Sequence, residues 1–151
     1  MQAVLPLLLE RAEGERDGEG VSLRQAAQAL QQALATLGQL ERFREDYLRR
    51  SPVAAGQALH AQRLVDWQRF VTRLDQAIAL QRQEIALRTH QEAQARQRLV
   101  QAQQRLMSLQ ALGQRWARQQ QARMDRRLQA EADAFAARAT RADLFGFGEA
   151  R

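Results

Sequence analysis

The sequence predicts an all-α protein: a long antiparallel two-helix coiled coil, or helical hairpin, whose second helix overhangs the first. The stretch 59–139 contains no Pro and a single Gly, Gly113. Apolar residues recur along it at spacings of three and four, which is typical of coiled-coil core positions. Ala, Leu, Gln, Arg and Glu dominate the chain, whereas aromatic residues make up only 5%, and this composition favours long helices. At 1.5 Å per residue the stretch would be roughly 120 Å long, so we expect an elongated rod.

The first helix is predicted from about residue 7 to residue 50. It follows an apolar start, in which Pro6 is tolerated because it lies in the first turn. Arg49 and Arg50 suit the negative end of the helix dipole, and Pro52 ends the helix because the residue before a proline resists the helical conformation. The apolar pattern of this helix comprises Leu23, Ala27, Leu30, Leu34, Leu37, Leu40, Tyr47 and Leu48.

A weak section is predicted within this helix at residues 14–20. Three of its seven residues are glycines, and each glycine costs a helix about 1 kcal/mol relative to alanine. We therefore expect the helix to be frayed or broken there. Ser22 is the N-cap expected for the helix that resumes after this section.

A turn at 51–58, a second helix at about 59–139 and a tail at 140–151 complete a single predicted domain, 1–151. Antiparallel pairing about residue 55 brings together residues whose numbers sum to about 110, so Leu5 would reach only to about Arg105. The remainder of the second helix then has no partner within the chain, although its apolar pattern continues. An uncovered apolar stripe indicates a binding surface for a partner or for a second copy. The whole pattern of this helix comprises Trp67, Phe70, Leu74, Ile78, Leu99, Ala102, Leu106, Leu109, Leu112, Trp116, Met124, Leu128 and Phe135.

The charge balance is basic, with a formal net charge of +6. Residues 59–141 contain 15 Arg against 7 Asp and Glu. Such a balance is compatible with nucleic acid or an anionic membrane surface. The arginines are spread along the helix instead of preceding a zipper, and the aromatic residues lie in the coiled-coil pattern rather than among basic groups. We therefore expect no nucleic-acid partner.

The sequence predicts neither an enzyme nor a cofactor, metal or small-molecule site. The chain has no cysteine, which excludes disulfides and thiolate metal ligands. His60 and His90 are too far apart on one helix, roughly 45 Å by helical rise, to share a metal. The acidic residues are expected to form surface pairs along their own helix, as in Asp66 with Arg69, Asp75 with Arg73 and Glu84 with Arg88. No apolar run is long enough to predict a membrane span.

Four segments together resemble the FliJ family of flagellar export proteins. Leu40, Phe43, Arg44, Glu45, Tyr47 and Leu48 resemble the family pattern Leu-x-x-Tyr-Arg-x-x-Tyr. The segment from Trp67 to Ile78, followed by Gln81, is similar to the pattern Phe-x-x-x-Leu-x-x-Ala-Ile-x-x-Gln. Leu109, Leu112 and Arg115 match a later Leu-x-x-Leu-x-x-Arg stretch, and 7–12 looks like the family's apolar opening. Two features depart from the family pattern: the stretch 125–131 keeps only part of its acidic and basic motif, and glycines interrupt the first helix.

The resemblance implies a non-enzymatic, cytoplasmic part of the flagellar type III export apparatus, peripheral at the inner face of the cell membrane at the flagellar base. Its implied role is that of a central stalk that binds and promotes the hexameric export ATPase. The implied further partners are the cytoplasmic domain of the membrane export gate and the flagellar export chaperones. Two alternatives stay open: the equivalent stalk of a virulence type III secretion system, and a homodimeric coiled-coil scaffold.

The candidate partner-binding residues fall into two groups. The first group lies near the predicted turn and is assigned to the export gate through Phe43, Arg44, Tyr47 and Arg73. The second group lies on the overhang and is assigned to the ATPase ring, together with Leu5, Leu8 and Leu9. The full set of candidates comprises Leu40, Phe43, Arg44, Tyr47, Phe70, Arg73, Leu74, Asp75, Ile78, Leu109, Leu112, Arg115, Trp116, Arg123, Arg126 and Arg127.

Overall fold

The structure, a computed structural model, describes residues 3–51 and 61–146. It consists of two long helices, α1 (Leu5–Arg49) and α2 (Ala61–Gly146). The described residues contain no strand. The two helices pack against each other as a helical hairpin. The predicted fold class is therefore confirmed.

The chain divides into two compact units. One comprises Arg11–Gln104, and the other comprises Met1–Glu10 with Arg105–Arg151. Each unit therefore contains a part of α1 and a part of α2.

Within the unit Arg11–Gln104, ion pairs across the hairpin define an antiparallel register. The three pairs are Glu19 with Arg98, Glu41 with Arg82 and Arg44 with Asp75. Their residue numbers sum to 117–123, so the expected sum of about 110 was wrong by roughly two to three and a half helical turns. The expected value placed the centre of the turn at residue 55, whereas the contacts between the helices set the register.

The interior of this unit is a narrow line of small and aliphatic side chains. Two helices cannot enclose a side chain on all sides, so most positions of the apolar pattern are only half-buried. Ala33 is buried, whereas the neighbouring Leu34, which the pattern placed in the core, is 42% exposed. Of the residues described in this unit, the buried apolar ones are Ala12, Ala33, Leu74, Ile78, Ala95 and Ala102.

The predicted break at 14–20 is absent, because α1 is continuous through this section. Local propensity alone would predict a break, because each glycine costs about 1 kcal/mol relative to alanine. The helix nevertheless accommodates Gly14, Gly18 and Gly20. None of the three has a left-handed backbone, and a Cβ added to any of them would meet nothing within 4 Å.

The helix ends differ from the expected boundaries by a few residues. The backbone N–H of Ser51 donates to the carbonyl of Leu48 at 3.1 Å, just after α1 ends at Arg49. The predicted turn at 51–58 and the start of the second helix at 59 lie, apart from Ser51, outside the described residues. At the other end α2 continues to Gly146, so the predicted tail at 140–151 is helical over 140–146. The rest of this tail, 147–151, lies outside the described residues.

The second unit contains a close approach between the start of α1 and the middle of α2. A Cβ added to Gly113 would lie 3.2 Å from Cδ2 of Leu5, so glycine provides the space for this leucine. Leu106, at 4% exposure, is buried, and it is the one buried apolar residue among this unit's described residues. Every residue from 117 to 146 is exposed. We call residues 117–146 the exposed extension.

Candidate interaction surfaces

Four aromatic side chains gather on the two helices of the unit Arg11–Gln104. The ring of Tyr47 stacks on that of Trp67 with centroids 6.1 Å apart and an interplanar angle of 12°. It also lies 4.5 Å from the ring of Phe70. Phe43 meets Phe70 edge to face at 6.1 Å. These four residues form the aromatic cluster, which joins α1 to α2 and leaves Phe43 53% exposed.

Two ion pairs of opposite polarity join the helices through α1 residues on either side of Phe43. Arg44 on α1 donates to Asp75 on α2 at 2.5 Å, and Arg82 on α2 donates to Glu41 on α1 at 3.2 Å. The side chains border an open cleft of about 530 Å³. Because all four charged side chains remain partly solvated, each pair contributes little to stability but adds specificity to the register. The cleft is lined by Glu41, Arg44, Glu45, Leu48, Asp75, Ile78, Ala79 and Arg82.

The candidates near the hairpin end differ in accessibility. Leu74 and Ile78 are buried, so these two side chains pack the hairpin interior and are not available to a partner in this conformation. Leu40, Tyr47 and Phe70 are half-buried, while Arg73 is exposed. The structure brings Phe43, Tyr47 and Phe70 together in one cluster and pairs Arg44 with Asp75.

The candidates of the other unit lie along α2 in two stretches. Leu109, Leu112 and Trp116 are half-buried. Arg115 precedes the exposed extension, and Arg123, Arg126 and Arg127 lie on it; all four are exposed. Among residues 3–51 and 61–146, none of these four arginines forms an ion pair. The section 115–127 is therefore a concentration of uncompensated positive charge.

The exposed extension also displays apolar side chains. Met124, Leu128 and Phe135 lie at helical spacings on one side of α2 and are 59%, 60% and 75% exposed. Asp125 and Asp133 accept hydrogen bonds from Gln121 and Gln129, each four residues before its acceptor. The surface is thus an apolar stripe flanked by arginines, which suits a protein partner with apolar and acidic groups.

The described residues show neither a metal site nor a membrane-spanning helix. No group of three or more His, Asp or Glu within them is arranged to hold a metal ion. No helix in the same part of the chain is long and apolar enough to cross a membrane. His90 is exposed, and His60 lies outside the described residues.

The family comparison decides the identity of the chain. The model of the flagellar FliJ protein matches residues 1–143. The chain belongs to the FliJ family. No curated protein and no solved structure matches it.

Membership of the FliJ family makes the chain a component of the flagellar export apparatus. FliJ proteins are cytoplasmic and have no enzymatic activity of their own. The matched residues include both helices up to residue 143, so the aromatic cluster and most of the exposed extension belong to the FliJ region.

Sequence reasoning missed three contacts that organise the FliJ hairpin. It placed Asp75 beside Arg73 on the same helix, whereas Asp75 pairs with Arg44 of α1. It did not pair Glu41 with Arg82. It also missed the hydrogen bond that the Gln81 side chain donates to the Ala33 carbonyl at 2.9 Å. Spacing within one helix cannot reveal such contacts, because they depend on the register between helices.

Proposed function

We propose that this FliJ-family protein is a stalk-like subunit that binds and promotes the hexameric flagellar export ATPase and couples it to the export gate and the export chaperones. The observation that carries the proposal is the exposed extension, with its apolar stripe and uncompensated arginines. A stripe of this kind on a helix outside the hairpin is suited to contact another protein.

The section Leu106–Phe135, with Leu5, Leu8 and Leu9, is the part that we assign to the ATPase ring. Arg123, Arg126 and Arg127 supply positive charge at the exposed part of this section. Polar and charged contacts suit a subunit that must turn or slip within a ring, because a large apolar interface would hold it in one position. The expected counterpart on the ATPase is therefore an acidic surface.

The test is steady-state ATP hydrolysis by the export ATPase of the same organism, with increasing concentrations of this protein. The variant Arg123→Glu/Arg126→Glu/Arg127→Glu should require about tenfold more protein for the same stimulation, because reversed charges oppose an acidic partner. The matched control is Arg24→Glu/Arg42→Glu/Arg63→Glu, whose three arginines are also exposed. Both variants lower the formal net charge from +6 to zero.

Equal stimulation by the two triple variants would refute the assignment of this section to the ring. Stimulation by the wild-type protein should also fall as salt rises, because screening weakens exposed charge contacts. Absence of stimulation together with a concentration-dependent dimer in sedimentation would favour the homodimeric scaffold instead.

The second assignment places the export gate at the hairpin surface of Phe43, Arg44, Tyr47 and Arg73. Phe43 is the exposed member of the aromatic cluster, and exposed aromatic and arginine side chains are common anchors of protein interfaces. Arg73 is exposed on α2 three residues after Phe70 of the cluster. The gate would thus meet both helices.

Binding of the gate's cytoplasmic domain to surface-immobilised protein tests this assignment. The variant Tyr47→Ala/Arg73→Ala should weaken binding at least tenfold. Because Tyr47 also packs the hairpin, Phe43→Ala provides a second variant with less structural consequence. Leu87→Ala/Arg96→Ala is the control, because both residues are exposed and lie outside the aromatic cluster. Normal gate binding by Tyr47→Ala/Arg73→Ala and by Phe43→Ala would exclude this surface.

A further inference from the structure

Residues 13–22 of α1 combine several features that weaken a helix. Gly14, Gly18 and Gly20 lie in its interior, and the space around each would admit a Cβ. Neither packing nor a left-handed backbone therefore accounts for glycine at these positions. A helix that could accommodate alanine at all three positions has glycine, the least favourable residue after proline.

The same section contributes almost nothing to the hairpin interior. Its one large apolar side chain is Val21, which is 44% exposed. No residue of the section is buried, whereas Ala12 and Ala33 on either side of it are. Regions with few buried apolar contacts open most readily.

Charge adds to the weakness of this section. Four acidic residues and one arginine lie within 13–19, and like charges four residues apart, such as Glu13 and Asp17, destabilise a helix. Arg11 pairs with Glu15 and Arg16 pairs with Asp17, which offsets part of this repulsion. Glu19 forms an ion pair with Arg98 of α2 at 3.2 Å. Both side chains of this pair are partly solvated, so the pair holds the section only weakly.

We propose that residues 13–22 form an opening section that unwinds locally while the rest of the hairpin stays folded. Its opening releases Arg98 from Glu19 and uncovers α2 near Ala102, which the antiparallel register places opposite about residue 15. The equilibrium between the folded and the open section therefore controls access to Arg98 and to the surface of α2 near Ala102. The test needs the isolated protein alone.

Amide hydrogen exchange on the full chain measures this opening directly. In the wild-type protein, amides of 13–22 should exchange at least a hundredfold faster than those of 33–44. The variant Gly14→Ala/Gly18→Ala/Gly20→Ala should reduce opening about a hundredfold, which corresponds to about 3 kcal/mol summed over three helix-interior glycines. Trypsin cleavage after Arg16 in the native protein should slow by a similar factor.

Gly38→Ala is the matched control. Gly38 lies in the same helix, also with nothing within 4 Å of an added Cβ, but outside the opening section. This substitution should leave exchange at 13–22 unchanged. The proposal is overturned if wild-type amides at 13–22 are as protected as those at 33–44. It is also overturned if Gly38→Ala slows exchange at 13–22 as much as the triple variant does.

Discussion

Arg44 of α1 and Asp75 of α2 form an ion pair across the hairpin, with Nε and Oδ1 2.5 Å apart. The two residues are 31 positions apart in the chain, so their contact reports directly on the register between the helices. Arg44 follows Phe43 of the aromatic cluster on α1, in the part of the hairpin that we assign to the export gate. A shift in register would therefore break this pair and would also change where Phe43 lies relative to α2.

This pair predicts a rescue by charge exchange. Asp75→Asn should lower the free energy of unfolding by up to about 1 kcal/mol, because both partners are partly solvated. Arg44→Asp alone should cost more, since it sets two carboxylates opposite each other. The double variant Arg44→Asp/Asp75→Arg should recover most of the loss in urea unfolding. Strict additivity of the single changes would contradict a direct interaction.

A control separates the contact between helices from a contact within one helix. Glu45 pairs with Arg49 four residues later on α1. Glu45→Gln should change the free energy of unfolding by only a few tenths of a kcal/mol, about the value of such pairs in isolated helices. If Glu45→Gln costs as much as Asp75→Asn, the pair of Arg44 and Asp75 contributes no more to stability than a pair within one helix.

Substitution by alanine should have very different effects at two leucines of α2. Leu106 is 4% exposed and Leu128 is 60% exposed. Leu106→Ala should lower the free energy of unfolding by about 2–3 kcal/mol, because it removes buried apolar surface and leaves a cavity. Leu128→Ala should change it by less than about 0.5 kcal/mol. Urea denaturation followed by circular dichroism measures both, and similar losses would mean that the extension is covered within the monomer.

The close approach of Leu5 to Gly113 predicts an unequal benefit from alanine. Gly38→Ala should raise the free energy of unfolding by about 1 kcal/mol, because alanine favours the helix and its methyl group enters open space. Gly113→Ala should gain less, since its methyl group would press on Leu5. In a Leu5→Ala background the gain at 113 should return to about 1 kcal/mol. A full gain in the presence of Leu5 would contradict the contact.

The indole of Trp67 predicts tolerance of a smaller ring. Its Nε1–H is buried and has no hydrogen-bond acceptor among the residues that the structure describes. Trp67→Phe removes this donor and keeps a ring against Tyr47, so the free energy of unfolding should fall by less than about 1 kcal/mol. Trp67→Ala should cost about 3 kcal/mol or more. Thermal unfolding compares the two, and equal losses would show that stacking on Tyr47 is unimportant.

The helices themselves were predictable because their signals lie in neighbouring residues. Apolar spacing identified α2, and the absence of Pro gave its length to within about seven residues at the C-terminal end. The uncovered stripe at Met124, Leu128 and Phe135 followed from the same pattern, and these side chains are exposed. The exposure of this stripe could therefore be predicted from the sequence, and its role in binding stays a prediction.

The register and the state of the glycine section could not be read from neighbouring residues. Asp75 has an arginine two positions before it and another across the hairpin, and only the packed pair of helices selects Arg44. The apolar pattern placed Leu34 in the core, whereas Ala33 is the buried residue. One position along a helix corresponds to a rotation of about 100°, which is enough to exchange a buried side chain for an exposed one. At 14–20 the continuous helix overrides the unfavourable propensity of three glycines.

The exposed extension has a consequence for how the protein melts. Nine of its 30 residues are alanines, so intrinsic helix preference and pairs of nearby side chains must maintain it without tertiary cover. Helix formation of that kind is only weakly cooperative and declines gradually with temperature. The circular dichroism signal at 222 nm should therefore slope downward well before the cooperative transition of the hairpin, and the calorimetric and van't Hoff enthalpies should disagree.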